Sequence, residues 1–291
     1  MSDKQIDDVT GTETTGHEWD GIKELNTPLP RWWLWTFYGT ILFAIGYTIA
    51  YPAWPLISSA TTGVLGYSSR AELDKDLALA KAAQGDLVAK VAETPVADIL
   101  KDEDLTRFAR AGGKSLFKVY CSQCHGTGAA GAPGYPNLND DEWIWGGSIE
   151  QIHQTLMHGV RSPTDPDTRY NIMPNFAADG ILTPEQIDTV AKQVASYSGI
   201  EGGVATPEGQ QIFIENCAAC HGENAAGLVD MGGPSLNDKV WLYEGTQGSL
   251  EGIKAQLAAP RHGVMPAWGA RLGEAAVKEL AVYVHGLGGG Q

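Results

Sequence analysis

Hydrophobic and polar positions divide this 291-residue chain into regions of different character. Residues 1–30 are a polar tail. From Trp32 to Ser69 no charged residue occurs, and an apolar run extends from Trp32-Trp33-Leu34-Trp35 through Ile41-Leu42-Phe43-Ala44-Ile45 to Tyr51-Pro52-Ala53-Trp54. As a helix these residues rise about 34 Å, enough to cross a hydrocarbon layer of about 30 Å. Trp32, Trp33 and Trp35 cluster at one end, with Tyr51 and Trp54 at the other, as expected for the two membrane interfaces. A transmembrane helix is expected over 31–55. A cleaved signal peptide is the competing reading, but the tail is longer than a usual n-region and the span longer than a usual h-region. Lys23 and Arg31 precede the span and Arg70 is the first basic residue after it. The positive-inside rule therefore puts the N-terminus in the cytoplasm.

Residues 56–107 read as a helical linker. Leu73, Leu77, Ala80, Leu87, Val88 and Val91 fall at helical spacing, although Gly85 interrupts the stripe. A flexible linker is the alternative. From about residue 108 the pattern repeats. Gly113, Phe117, Cys121, His125, Pro136, Trp143, Met173-Pro174 and Tyr197 recur in order as Gly209, Phe213, Cys217, His221, Pro234, Trp241, Met265-Pro266 and Tyr283. Offsets differ by only a few residues, so two duplicated units are expected, at 108–200 and 201–291. Each reads as helix, motif, long loop, Met-Pro, helix. Thr183-Pro184-Glu185-Gln186 carries an N-cap, Pro at N1 and a capping-box partner. Ile187, Val190, Ala191 and Val194 then follow a helical stripe. No convincing strand pattern occurs, and the expected fold is mainly α.

All four cysteines lie in two copies of Cys-x-x-Cys-His: Cys121-Ser-Gln-Cys124-His125 and Cys217-Ala-Ala-Cys220-His221. This pattern attaches c-type haem, the thiols bonding the porphyrin and the adjacent His ligating iron. A four-cysteine zinc site would not need a His after each second Cys, and a thioredoxin-like site would need a βαβ context. Two covalently bound c haems are expected, with Cys121, Cys124, Cys217 and Cys220 as attachment points and His125 and His221 as proximal ligands.

The sixth ligand separates electron carriage from chemistry at an open iron. Met173 and Met265 each precede Pro at equivalent places, 48 and 44 residues after His125 and His221. They are the expected distal ligands. Met157 sits in a helical run and reads as core; Met231 lies in a Gly-rich loop. His158, His262, Arg161 and Arg261 are candidate haem-propionate partners, and Trp143 and Trp241 candidate haem-edge contacts. The sequence leaves open which Met serves which haem.

The net charge of -15 argues against nucleic acid and against broad binding to anionic lipid. It suits a basic redox partner; ordinary solubility charge explains it equally well.

The tail segment His17-Glu18-Trp19-Asp20-Gly21-Ile22-Lys23-Glu24-Leu25-Asn26-Thr27-Pro28-Leu29-Pro30-Arg31-Trp32-Trp33, one span and two Cys-x-x-Cys-His repeats resemble the CcoP (FixP) subunits of cbb3-type cytochrome c oxidase. The run Arg261-His262-Gly263-Val264-Met265-Pro266-Ala267-Trp268 is also similar to that family. The resemblance covers essentially the whole chain. It implies two tandem class I cytochrome c domains on one anchor in the inner membrane, with the haem domains periplasmic. It also implies electron transfer from a soluble cytochrome c or a quinol-oxidising complex, through the monohaem subunit, to the catalytic subunit that reduces oxygen. The chain has no copper site or b-haem helix pair, so it is expected to be part of an enzyme and not catalytic by itself. A membrane-anchored dihaem shuttle or dehydrogenase subunit would carry the same haems. A dihaem peroxidase would need one distal site that opens, against which the paired Met-Pro candidates argue.

Overall fold

The computed structural model describes residues 5–243 and 248–289. In chain order the elements are strands β1 (Thr14–Trp19) and β2 (Ile22–Leu25), and helices α1 (Arg31–Ala50), α2 (Ser69–Glu93), α3 (Val96–Ile99), α4 (Glu103–Tyr120), α5 (Ser122–His125), α6 (Ile149–His158), α7 (Pro184–Tyr197), α8 (Pro207–Asn216), α9 (Ala218–His221), α10 (Leu250–Ala258), α11 (Gly269–Leu272) and α12 (Glu274–His285). The fold is mainly helical, and the chain divides into two compact units, Met1–Ala83 and Gln84–Gln291.

In the first unit, β1 and β2 pair antiparallel, with Trp19 opposite Ile22. This hairpin departs from the strand-free expectation. Its turn is Asp20-Gly21, and both residues take positive φ (49° and 86°). That is the two-residue turn whose twist matches paired strands, and Asp-Gly favours it. Helix α1 has no buried residue and is the one described helix long and apolar enough to cross a membrane. It stops at Ala50, short of the expected 55. Tyr51 is extended (φ -114°, ψ 162°) because the ring of Pro52 excludes the helical conformation from the residue before it. Twenty residues still rise about 30 Å, the thickness of the hydrocarbon layer.

Helix α2 runs unbroken through Gly85. One glycine costs about 1 kcal/mol against alanine, a small sum in a segment otherwise rich in Ala, Leu and Lys. Its apolar stripe stays exposed except at Val91, which is fully buried.

The second unit holds two hydrophobic cores. One contains Phe117, Ile152, Leu156, Trp268, Val277 and Leu280, from α4, α6, the segment before α11, and α12. The other contains Phe176, Val190, Val194, Phe213, Ile253 and Leu257, from α7, α8, α10 and the segment before α7. The repeats at 108–200 and 201–291 therefore do not each keep their own terminal helix. Helix α12 packs on α4 and α6, while α7 packs on α8 and α10. The connection from α7 to α8 supplies the physical reason. It spans only residues 198–206, so the two helices are neighbours in chain and in space. The terminal helix of the first repeat is thereby committed to the second core, and α12 completes the first.

Both helix pairs use the same device. Phe117 meets Tyr283 at 5.4 Å between ring centroids, and Phe213 meets Tyr197 at 5.2 Å. Gly113 lies so close to α12 that an added Cβ would sit 2.0 Å from the Glu279 carbonyl oxygen. At Gly209 the nearest atom, the Gln193 Cβ, would be 3.0 Å away. Lys278 is buried, and its Nζ donates to the carbonyls of Ala92 (2.7 Å) and Thr94 (2.9 Å), tying α12 to the end of α2.

Candidate functional sites

Each Cys-x-x-Cys-His motif forms at the end of a packed helix. Phe117 and Phe213 anchor α4 and α8, and the motif begins at the C-cap: Cys121 N–H donates to the Phe117 carbonyl, and Cys217 N–H to that of Phe213. The motif then closes one short helical turn, α5 or α9. The loops that follow match residue for residue as far as Gly131 and Gly227, after which the second is two residues longer before its Pro. Gly126 and Gly222 take φ of 79° and 76°, and Ala129 and Ala225 both take φ of 60°. Positive φ is uncommon for alanine, so its occurrence at equivalent places reflects a shared loop geometry. Leu138 N–H donates to the Ala129 carbonyl at 2.8 Å, and Leu236 N–H to that of Ala225 at 2.7 Å.

These loops fix the histidines. His125 Nδ1 lies 3.0 Å from the Pro136 carbonyl oxygen, and His221 Nδ1 lies 2.8 Å from that of Pro234. A carbonyl only accepts, so Nδ1 carries the hydrogen and Nε2 keeps its lone pair. Burial lowers the pKa of both imidazoles and so favours the neutral form that ligates a metal. Burial, with the neighbouring Cys of each motif, pushes the Cys121 thiol up to about 11 and the Cys217 thiol up to about 12. An oriented imidazole beside two cysteines at each motif suits covalently held haem. Met173 lines one largely apolar cavity together with Cys217, Cys220 and His221. Met265 instead packs against the core that contains Cys121.

The methionines are thus exchanged. Met173 follows the first motif in the chain but sits at the second, and Met265 the reverse. The crossing occurs at two matched segments, His158-Gly159-Val160 and His262-Gly263-Val264. Met265 follows Val264 directly, whereas residues 161–172 separate Val160 from Met173. Val160 and Met265 exchange both backbone hydrogen bonds, at 3.0 and 2.9 Å. Met157 packs against the first core, as its helical setting suggested. Met231 lines the cavity of the second motif and is exposed.

The polar candidates separate. Arg161, Arg261 and His262 all line the cavity of the second motif. His158 is turned to Asp165 at 3.2 Å, and Arg261 lies over the Tyr243 ring at 4.1 Å. Trp143 packs against the first core and donates its indole N–H to the Gly289 carbonyl; Trp241 packs against the second. Asn171, which sequence reading passed over, donates from Nδ2 to the Met231 carbonyl (2.7 Å) and approaches Cys220 Sγ at 3.6 Å. No local motif marked it.

Comparison with known proteins gives matches along nearly the whole chain. The model of the N-terminal domain of cbb3-type cytochrome oxidase FixP matches residues 11–58. That of cbb3-type cytochrome c oxidase subunit III matches twice, at 109–192 and 204–284. The chain is 54% identical over 290 residues to the cbb3-type cytochrome c oxidase subunit FixP of Sinorhizobium medicae, covering 99% of this chain and 98% of that protein. It is 54% identical to FixP of Rhizobium etli over the full length of both. It is 50% identical over 279 residues to the CcoP subunit of Cereibacter sphaeroides, covering 96% and 95% of the two chains.

Proposed function

The chain belongs to the FixP/CcoP family of cbb3-type cytochrome c oxidase subunits, and from that premise we propose that it carries electrons through two c haems without itself reducing oxygen. Covalently bound haem c supplies one-electron iron chemistry at each motif. Cys121 and Cys124 hold one haem, Cys217 and Cys220 the other. His125 and His221 present Nε2 to iron, each imidazole held by its Pro carbonyl. Met265 would hold the iron of the haem served by His125, and Met173 that of the haem served by His221. Thioether ligation on both irons favours electron transfer over binding of small molecules, and raises the potentials relative to a second His.

The observation that carries the crossed assignment is the placement of Met173 in the cavity of Cys217, Cys220 and His221. Helix α1 anchors the chain in the inner membrane among lipid. The basic Lys23 and Arg31 hold the tail in the cytoplasm and the haem domains in the periplasm. The monohaem and catalytic subunits receive the electron. The donor is a soluble cytochrome c or a quinol-oxidising complex. A net charge of -15 favours a basic cytochrome, so its turnover should slow as salt rises.

Gentle-detergent purification of the tagged chain from native membranes tests the assignment. Co-elution of b haem with cytochrome-driven oxygen uptake is expected. Elution of c haem alone, in a detergent that keeps other membrane complexes intact, would instead indicate an independent dihaem carrier.

A further inference from the structure

Where the two crossing segments run side by side, one side chain touches both. Arg161 follows Val160 and takes φ of 51°, a left-handed conformation uncommon outside glycine. From there its Nε donates to the Gly263 carbonyl at 2.7 Å, and its Nη1 to the Asn171 carbonyl at 2.9 Å. Gly263 lies two residues before Met265, and Asn171 lies two residues before Met173. A single guanidinium therefore holds the backbone at the same offset ahead of both candidate distal ligands. The side chain is half-buried, and both bonds are charge-assisted, the stronger class of hydrogen bond. The second repeat offers no substitute, because Met265 follows Val264 directly where Arg161 follows Val160.

We propose that Arg161 is a positioning residue shared by the two haem sites: it clamps both crossing strands, so that distal ligation at the two irons loosens together when the clamp is lost. The rigid planar fork makes the role specific to arginine. A lysine carries the charge but presents one point donor, which cannot span two divergent carbonyls. Arg169, in the same 161–172 segment, acts elsewhere. Its Nη2 bonds the Gln151 carbonyl (3.3 Å) and the Gln154 side chain (2.9 Å), and its guanidinium lies 5.5 Å from the Trp145 ring centroid.

The proposal rests on Met173 and Met265 being the distal ligands, and the test separates the two ideas. Full-length holoprotein is purified as wild type, R161Q, R161K, R169Q, M173A and M265A. Each is measured for the sulfur-to-iron charge-transfer band, for both midpoint potentials and for carbon monoxide binding to the reduced form. Helical circular dichroism confirms folding. With R161Q, the fraction of haem open to carbon monoxide should rise about tenfold at both sites, as expected for loss of a charge-assisted bond at each, and both potentials should fall. R169Q should resemble wild type. R161K should fail to restore at least one site, and it keeps the test alive if R161Q does not fold. Should M173A and M265A each open one haem while R161Q leaves band and potentials unchanged, or alters one site only, the shared clamp is wrong and the ligand assignment stands. Should M173A and M265A leave the band intact, both ideas fall.

Discussion

The second core is built from one continuous stretch, Phe176 to Leu257, whereas the first joins Val91–Leu156 to Trp268–Val284 across more than a hundred intervening residues. The two contain equivalent parts: a glycine-bearing helix, a Cys-x-x-Cys-His turn, a Phe–Tyr contact and a methionine. They differ in how the chain reaches them. The second core is in effect inserted into the first, and its ends, near residues 161 and 264, meet at the Val160–Met265 bridge. Adjacent ends are what allow one folded unit to sit inside another. Connection length selects this arrangement. The nine residues 198–206 keep α7 beside α8, and the extra segment 161–172 lets the chain leave the first core and deliver Met173 to the second.

The comparison breaks most readily at the two phenylalanines. Phe117→Ala and Phe213→Ala should each cost about 3–5 kcal/mol, as for other fully buried aromatics. Native-state hydrogen exchange should show Phe117→Ala weakening chiefly α4 and α12. Phe213→Ala should weaken α7 and α8 and also loosen α12, because the second core keeps residues 160 and 265 together. Effects confined to one core in both variants would contradict the nested arrangement.

Next in size is the contrast between the glycines. Gly113→Ala places a methyl against the Glu279 carbonyl and should cost about 2–3 kcal/mol by overpacking. Gly209→Ala has more room and should change stability by about 1 kcal/mol or less. Chemical denaturation of both variants measures the difference, and equal costs would mean the two helix crossings are equally tight.

A smaller effect concerns Glu279 on α12. Burial raises its carboxyl pKa from the ordinary 4.5 to about 7. The folded state thus holds the proton more tightly than the unfolded chain. The stability this provides is complete below pH 4.5 and is lost as pH rises through 7. Glu279→Gln should therefore flatten the decline in first-core stability between pH 5 and 8, by on the order of 1–2 kcal/mol after allowance for solvent screening. An unchanged slope would assign the pH dependence to other groups. Finest of all is a double-mutant cycle. Phe117 and Tyr283 should couple by about 0.5–1.5 kcal/mol although far apart in sequence, while Phe117 and Tyr197, within one repeat, should show no coupling.

Much of this architecture could be read from the sequence. The duplicated motifs, the uncharged span and the cap at Thr183 are local patterns with local causes; the Thr183–Gln186 capping box forms as expected. The hairpin is equally legible, since Asp20-Gly21 between Trp19 and Ile22 is a strong turn signal, although the polar residues around it carry no alternating strand pattern. The end of α1 was written in Pro52. The exchange was of another kind. The stripe of Ile187, Val190 and Val194 shows that α7 buries one face, and Val277, Leu280 and Val284 show the same for α12. Since both repeats offer the same receiving surface, periodicity cannot choose between them. That choice depends on loop lengths and on competition between two similar cores. Asn171 carries no local signal, and Arg161 reads as a haem-propionate candidate and not as a bridge, because their bonding partners exist only once the two segments have crossed.

The most direct test of crossed ligation uses a chain reduced to one haem. With Cys217 and Cys220 replaced by serine, only the first motif carries haem, and its sulfur-to-iron charge-transfer band reports one distal ligand. The band should vanish on adding Met265→Ala and persist on adding Met173→Ala. Loss with Met173→Ala and persistence with Met265→Ala would show that each repeat ligates its own haem, and would contradict the exchange.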